Sequence, residues 1–190
     1  MLKVDLHIHT EYSRDSKTPV EKVIEKAIEQ RLDAIAITDH NTYEGYFKIQ
    51  EVEVPRSLIL IPGIELRTKE GDILLLNTTY KFEKGISIFK VLEKLQTLNI
   101  FVIAPHPFSI IQPGIKDLVK LEEIKTIEVV NGHDFLGRGN YKALRAAQAL
   151  KKFGIACSDA HKADEIGKTY TLVEAESSIN DILNSISKGV

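Results

Sequence analysis

The sequence predicts a closed or nearly closed α/β barrel with its functional groups at the C-terminal ends of the strands. Three observations point there. Short apolar segments alternate with amphipathic helical patterns along the chain, as in folds built on a buried parallel sheet. Almost every apolar segment ends in a residue capable of chemistry, which is the arrangement at the mouth of a barrel; an open sheet gathers such residues at one switch point. The length of 190 residues falls short of the roughly 200 or more that eight strand–helix units need, so a barrel of seven strands fits better.

The elements follow in order. Residues 3–8 form the first strand candidate and deliver His7 and then His9. Thr18 and Pro19 read as the N-cap and first position of a helix whose apolar face is Val20, Val23, Ile24, Ala27 and Ile28. Strand candidates at 34–38 and 58–64 lead into Asp39 and His40, and into Glu65. The turn Lys69-Glu70-Gly71 sends an extra strand, 72–76, back. Ile88, Val91, Leu92 and Leu95 mark a second helix. Strand 100–104 precedes His106, held between Pro105 and Pro107. Strand 126–130 ends at Asn131, and Tyr141, Leu144, Ala147, Ala149 and Leu150 mark a third helix. Strand 154–158 delivers Asp159 and His161, and 170–173 is the last strand candidate. No linker or internal repeat divides the chain, so one domain over 1–190 is expected.

Composition excludes several classes. The 25 basic and 27 acidic residues give a net charge of −2, against a nucleic-acid surface built on bulk positive charge but compatible with a local basic pocket. The one cysteine, Cys157, makes no internal disulfide, as in a reducing compartment. The longest apolar runs, 58–61 and 73–76, are far below the roughly 20 residues of a membrane span. With a charged N-terminus unlike a signal peptide, these features lead us to expect a cytoplasmic protein with no membrane partner.

Five of the six histidines lie at strand ends beside carboxylates. In His7-Ile8-His9 the strand period of two turns both imidazoles to one face, with Asp5 on the same face. Nitrogen and oxygen donors without sulfur suit zinc, manganese or iron. Asp39 either ligates or orients His40. Glu65, ending an apolar strand, is costly to bury unless paired or metal-bound. Ser158-Asp159-Ala160-His161 supplies a second carboxylate–imidazole pair at strand spacing.

Taken together, Asp5-Leu6-His7-Ile8-His9-Thr10, Ser13-Arg14-Asp15-Ser16, Thr38-Asp39-His40, Gly63-Ile64-Glu65, Pro105-His106-Pro107, Ser158-Asp159-Ala160-His161 and Glu165-Ile166-Gly167 resemble the motifs of the PHP (polymerase and histidinol phosphatase) family, in the family's order. The resemblance implies a distorted seven-stranded, TIM-like (β/α)7 barrel, a cluster of two or three divalent metal ions, and phosphoester hydrolysis. It implies one metal held by His7, His9, Glu65 and Asp159, a second sharing Glu65 with His106, and a third on Asp15, His40 and His161. The chain departs from the family at Asp72, in Gly71-Asp72-Ile73-Leu74, where many members have a histidine ligand to the second metal. An aspartate there would favour Mn²⁺ or Mg²⁺ over Zn²⁺.

Such a cluster suits hydrolysis by a water nucleophile. His133, after the fifth strand, is the candidate general acid, set against a plain solvated loop histidine. Arg14, Arg67 and Arg138 are the candidate phosphate contacts, Arg14 first, since a guanidinium meets phosphate bidentately. Asn131 and Asp39 are candidates for holding ligands in place, as is Asp5. With no long insertion to select a substrate, a small phosphomonoester is the leading expectation. A nuclease or nucleotide phosphatase acting on nucleic-acid ends is the alternative. A non-catalytic scaffold like the ribonuclease P protein subunits, which resemble this fold without its metal motifs, is the alternative of another class.

Overall fold

The computed structural model describes residues 1–189. Among them the chain runs β1 (Leu2–Ile8), α1 (Val20–Glu29), β2 (Ala34–Ile37), α2 (Glu44–Ile49), β3 (Ile59–Arg67), β4 (Asp72–Leu76), α3 (Ile88–Leu98), β5 (Phe101–Ala104), a 3₁₀ turn (Lys116–Lys120), β6 (Thr126–Asn131), α4 (Arg138–Leu150), β7 (Phe153–Cys157), a 3₁₀ turn (Ala163–Glu165), β8 (Thr171–Val173) and α5 (Ile179–Ile186). The strands form one sheet in the order β7-β6-β5-β4-β3-β2-β1-β8. Its two ends meet. Ile8 bridges to Ala160, and the Ala156 N–H donates to the Thr171 hydroxyl at 2.9 Å, so the sheet curls into a nearly closed barrel.

The expected α/β barrel is therefore present, with eight strands instead of seven and a mixed sheet instead of a parallel one. Strands β1, β2 and β3 pair in parallel, as do β5, β6 and β7. Strand β4 runs antiparallel to both neighbours, and β8 runs antiparallel to β1. The links explain this. A parallel pair needs a crossover of a dozen or more residues, and residues 68–71 are too few for one. The 158–170 link is built on one 3₁₀ turn in place of a crossover helix. The Thr68 hydroxyl accepts from the Glu70 and Gly71 N–H groups at 3.2 Å each. Gly71 takes φ +146°, and a Cβ there would lie 2.9 Å from the backbone of Gly114 and Ile115. Because of this hairpin β3 continues past 64, through Glu65 to Arg67.

Strand alternation sorts the side chains into layers. Val4, Leu6, Ala34, Ala36, Ile61, Leu74, Leu76, Ile103 and Ile155 fill the barrel together with Ile182, Leu183 and Ile186 of α5. Leu2, Ile59 and Phe101, at the starts of β1, β3 and β5, pack against the same cluster, so α5 plugs the end where those strands begin. Outside, Val20, Val23, Ile24 and Ala27 of α1 cover Ile35 and Ile37. Ile88, Val91, Leu92 and Leu95 of α3 cover the opposite flank.

Local details differ from the sequence reading. The Thr18 hydroxyl donates to the His161 carbonyl at 3.3 Å, leaving Pro19 at the cap. Helix α4 buries Ala143 and Ala147 while Tyr141 and Leu144 face solvent, because the small side chains allow close approach to β6. No helix among the described residues is long and apolar enough to cross a membrane.

Candidate metal centre

The C-terminal ends of β1, β2, β3, β5 and β7 and the start of β4 surround a cavity of about 300 Å³, lined by Asp15, His40, Glu65, Asp72, His106 and His161 among others. At its floor Glu65 Oε2 lies 3.4 Å from His7 Nε2, 3.3 Å from His9 Nε2 and 3.0 Å from His40 Nδ1. Glu65 Oε1 is 2.9 Å from His106 Nε2. Asp159 Oδ1 is 3.3 Å from both His7 Nε2 and His9 Nε2. Asp15 approaches His40 Nε2 at 3.1 Å and His161 Nε2 at 3.5 Å. Four overlapping groups have ligand atoms close enough to share an ion: His7, His9 and Glu65; His7, His106 and Asp159; His9, Asp15, His40 and His161; Glu65, Asp72 and His106. All nine residues expected as ligands are thus brought together.

The backbone aims them. Just beyond their strands Asn41, His106 and Asp159 take φ of 58°, 27° and 53°. This left-handed conformation is tolerated by Asn and Asp and rarer for other residues. Between Asp5 and Ile8 the β1–β2 register slips, and a bulge of this kind re-aims the next side chain. That slip corrects the expectation for Asp5, which forms no ion pair with His7 or His9. Its carboxylate instead accepts from the Ser158 and Gly167 N–H groups at 3.0 Å each, tying β1 to the segment after β7. Burial pushes its carboxyl up to about 6, against those hydrogen bonds. Asp39 is corrected likewise. It accepts from the Thr10 N–H at 2.6 Å and the Thr10 hydroxyl at 2.7 Å, and so joins the exits of β1 and β2 without touching the His40 ring.

The remaining expected residues divide. Asn131 donates to Glu128 at 2.8 Å and to Asp159 Oδ2 at 3.0 Å, so it does steady a candidate ligand. His133 lines the cavity, with Nε2 3.1 Å from Glu165. Arg14 and Arg67 line it too. Arg138 does not: it opens α4 with its side chain in solvent, and the 133–137 loop carries it past the rim.

Two partners, Glu128 and Gln112, escaped the sequence reading. Glu128, wholly buried in β6, accepts from the His106 N–H at 2.7 Å and meets His7 Nδ1 at 3.2 Å. A lone acid inside the run Thr-Ile-Glu-Val-Val was its signal. Gln112 donates to Asp159 Oδ2 at 2.5 Å. Ser13 holds His9 Nδ1 at 2.8 Å and accepts from the His40 N–H at 2.9 Å. Gln112 carries no sequence signal beyond its loop position, whereas Ser13 belongs to the motif that supplies Asp15.

These contacts fit a metal ion. His7 Nδ1 faces Glu128 and His9 Nδ1 faces Ser13, so when a metal displaces the Nε2 protons both rings can keep a proton on Nδ1 and turn Nε2 to the ion, the arrangement of metal-ligating imidazoles. Asp159 Oδ1, facing these Nε2 atoms, is buried with no hydrogen-bond donor. The site also concentrates negative charge. Burial resists charging the His9 imidazole, yet Asp159 and Glu65 raise it to about 9. Although burial opposes it, the His7 charge holds Glu65 and Asp159 well below the usual carboxylate range. Such a point favours any cation, a proton on imidazole or a metal ion.

A barrel with imidazoles and carboxylates converging at its mouth is the architecture of metal-dependent hydrolases. The PHP domain model matches residues 5–189, and the chain belongs to that family. An uncharacterized protein of Methanocaldococcus jannaschii, MJ1587, is 31% identical over 153 residues, which make up 75% of this chain and 90% of that protein. The 5'-3' exoribonuclease Rnm of Escherichia coli is 43% identical over 67 residues, 34% of this chain and 22% of Rnm. Among solved structures, a two-domain protein of Bacteroides vulgatus containing a predicted PHP-like metal-dependent phosphoesterase superposes with a TM-score of 0.73 at 21% identity. That match covers 98% of this chain and 62% of the other, so this chain spans under two thirds of that protein.

Proposed function

We propose that this protein, as one domain over residues 1–190, is a metal-dependent phosphoesterase that hydrolyses a small phosphomonoester with water as nucleophile. The observation that carries the reading is the approach of both Glu65 Oε2 and Asp159 Oδ1 to the Nε2 atoms of His7 and His9, with Asp159 Oδ1 unpartnered. His7, His9, Glu65 and Asp159 would hold one divalent ion (Mn, Zn, Fe or Mg), and Asp15, His40 and His161 another. When bound, such ions lower the pKa of water and neutralise phosphoryl oxygens.

The chain's own groups do the rest. Gln112 and Asn131 hold Asp159 Oδ2, which fixes Oδ1 toward the imidazoles. Glu128 keeps the His7 proton on Nδ1. Arg14 and Arg67 offer donors to the phosphate oxygens. With Nε2 against Glu165, His133 would deliver a proton to the leaving alkoxide from Nδ1. The cavity, at the small end of ligand pockets, suits a phosphomonoester.

One observation favours the second reading, a nucleotide or nucleic-acid end. Ile111 and Phe135 line the cavity while 79% and 84% exposed, and exposed apolar side chains beside phosphate-binding groups offer a stacking surface for a base. The local likeness to Rnm supports it. Aryl phosphomonoesters assayed against phosphodiesters and short oligonucleotides with Mn²⁺ separate the two. Fewer than one bound ion per chain after reconstitution, with no turnover of either class, would leave the scaffold reading.

A further inference from the structure

We infer that Arg67 closes the Glu65–Asp72–His106 group to metal, so that the centre takes two divalent ions and Arg67 supplies a fixed positive charge where a third would sit. The inference rests on the metal-site reading and concerns only how many ions that site takes.

The group looks capable by distance alone. Its hydrogen bonds argue otherwise. Arg67 and Asp72 are register partners on the β3–β4 hairpin, so the strand period turns both into the barrel mouth. Asp72 is buried while the Arg67 side chain is one-third exposed and lines the cavity. Arg67 Nε donates to Asp72 Oδ1, and Nη2 donates to Oδ2 at 3.0 Å. Both carboxylate oxygens are therefore engaged by one planar fork, the strongest geometry for this pair. A divalent ion ligated by Asp72 would sit against the guanidinium charge.

His106 gives a second, independent sign. A ligating imidazole donates its outer N–H to an acceptor. His7 has Glu128 for this, His9 has Ser13, and His161 Nδ1 has the Asp159 carbonyl at 2.8 Å. His40 Nδ1 makes no hydrogen bond but lies 3.0 Å from a Glu65 oxygen, whereas His106 presents Nε2 to Glu65 and its outward Nδ1 has no partner. It is placed to orient Glu65 by a hydrogen bond, without an outer-shell acceptor to hold it as a ligand.

The test is stoichiometry. The folded protein is dialysed to equilibrium with Mn²⁺ and its metal counted by mass spectrometry. Wild type should hold two ions per chain. Arg67→Met should hold three, because it frees both Asp72 oxygens, and Asp72→Asn should stay at two. Three ions in wild type, or two in Arg67→Met, would overturn the inference while leaving the metal site standing. No ion in wild type would overturn the metal-site reading itself and this inference with it. Should Arg67→Met fail to fold, Arg67→Lys keeps the charge but covers only one oxygen. Its Tm should then rise more with added Mn²⁺ than that of wild type, and an equal rise counts against the inference.

Discussion

The two ends of this barrel are built from the same strands and differ in almost every physical respect. At the plugged end Ile182, Leu183 and Ile186 of α5 complete an apolar cluster with Leu2, Ile59 and Phe101. At the open end Asp5, His7, His9, Asp39, Glu65, Glu128 and Asp159 are all buried, though ionisable groups are seldom fully buried without partners. Removing such groups from water costs stability that only well-made pairs recover. The mouth spends what the plug supplies, and the two roles should separate under mutation. The sharpest break is at Glu65, whose two oxygens face four imidazoles. Glu65→Gln should lower hydrolysis by about a thousandfold or more, several kcal/mol of lost charge stabilisation, and abolish tight metal binding. Parallel activity assays and metal counts on the folded variant check this; retained metal and turnover would refute the central place given to Glu65.

The converse break is at the plug. Ile186 is wholly buried in the interior cluster, so Ile186→Ala should destabilise the fold by about 2–5 kcal/mol. Metal stoichiometry of the protein that remains folded should not change. Denaturant unfolding beside metal analysis gives both numbers. A variant that keeps full stability would show that α5 is not the stabilising element, and one that loses metal while folded would show that the ends are coupled.

The same division explains what the sequence made legible. Every strand was located within two or three residues, because buried strands leave dense apolar runs. Seven of the nine candidate ligands are legible because His, Asp and Glu are conspicuous at the ends of such runs, whereas Asp15 and Asp72 follow only from the resemblance to the PHP motifs. The return of 72–76 against β3 is legible from its turn and is what the structure shows, but its full membership in the sheet depends on the pairing of Leu74–Leu76 with Phe101–Ile103, which is long-range. The face occupied by Asp5 was misread because a bulge, invisible in a single strand, resets the alternation. Helix α5 carries Ser178 at its N-cap, bonded to the Asp181 N–H, and was passed over. Its eight residues offer little periodicity, and what they pack against is known only once the barrel closes. Glu128 was missed for a related reason, since one acid within a strand reads as an exposed edge until the strand is known to be central.

Glu128 tests whether the mouth depends on groups that touch no ion. Its carboxylate meets His7 Nδ1 and the His106 N–H and is bonded by Asn131. Glu128→Gln preserves shape and should weaken metal affinity by about 10–100-fold, the usual effect of removing the acceptor behind a ligating imidazole. Isothermal titration with Mn²⁺ measures it. Unchanged affinity would mean that the His7 tautomer is set without Glu128.

Labelling of one buried thiol discriminates between the two ends, and in one of the two variants it should not change at all. Cys157 is wholly buried, facing inward on β7 within the interior cluster yet two residues before Asp159. It stands between the two ends, so its exposure reports which of them opens. If the apolar plug governs the opening of the barrel, a thiol reagent reaches Cys157 only through global unfolding. Labelling of Ile186→Ala should then accelerate by the same factor by which its folding equilibrium falls, provided opening is fast relative to labelling. Labelling of Glu128→Gln should match wild type even as its metal affinity drops. The opposite pattern, with fast labelling in Glu128→Gln and little change in Ile186→Ala, would place the weak point at the mouth and make the charged network, not α5, the element that holds the barrel shut.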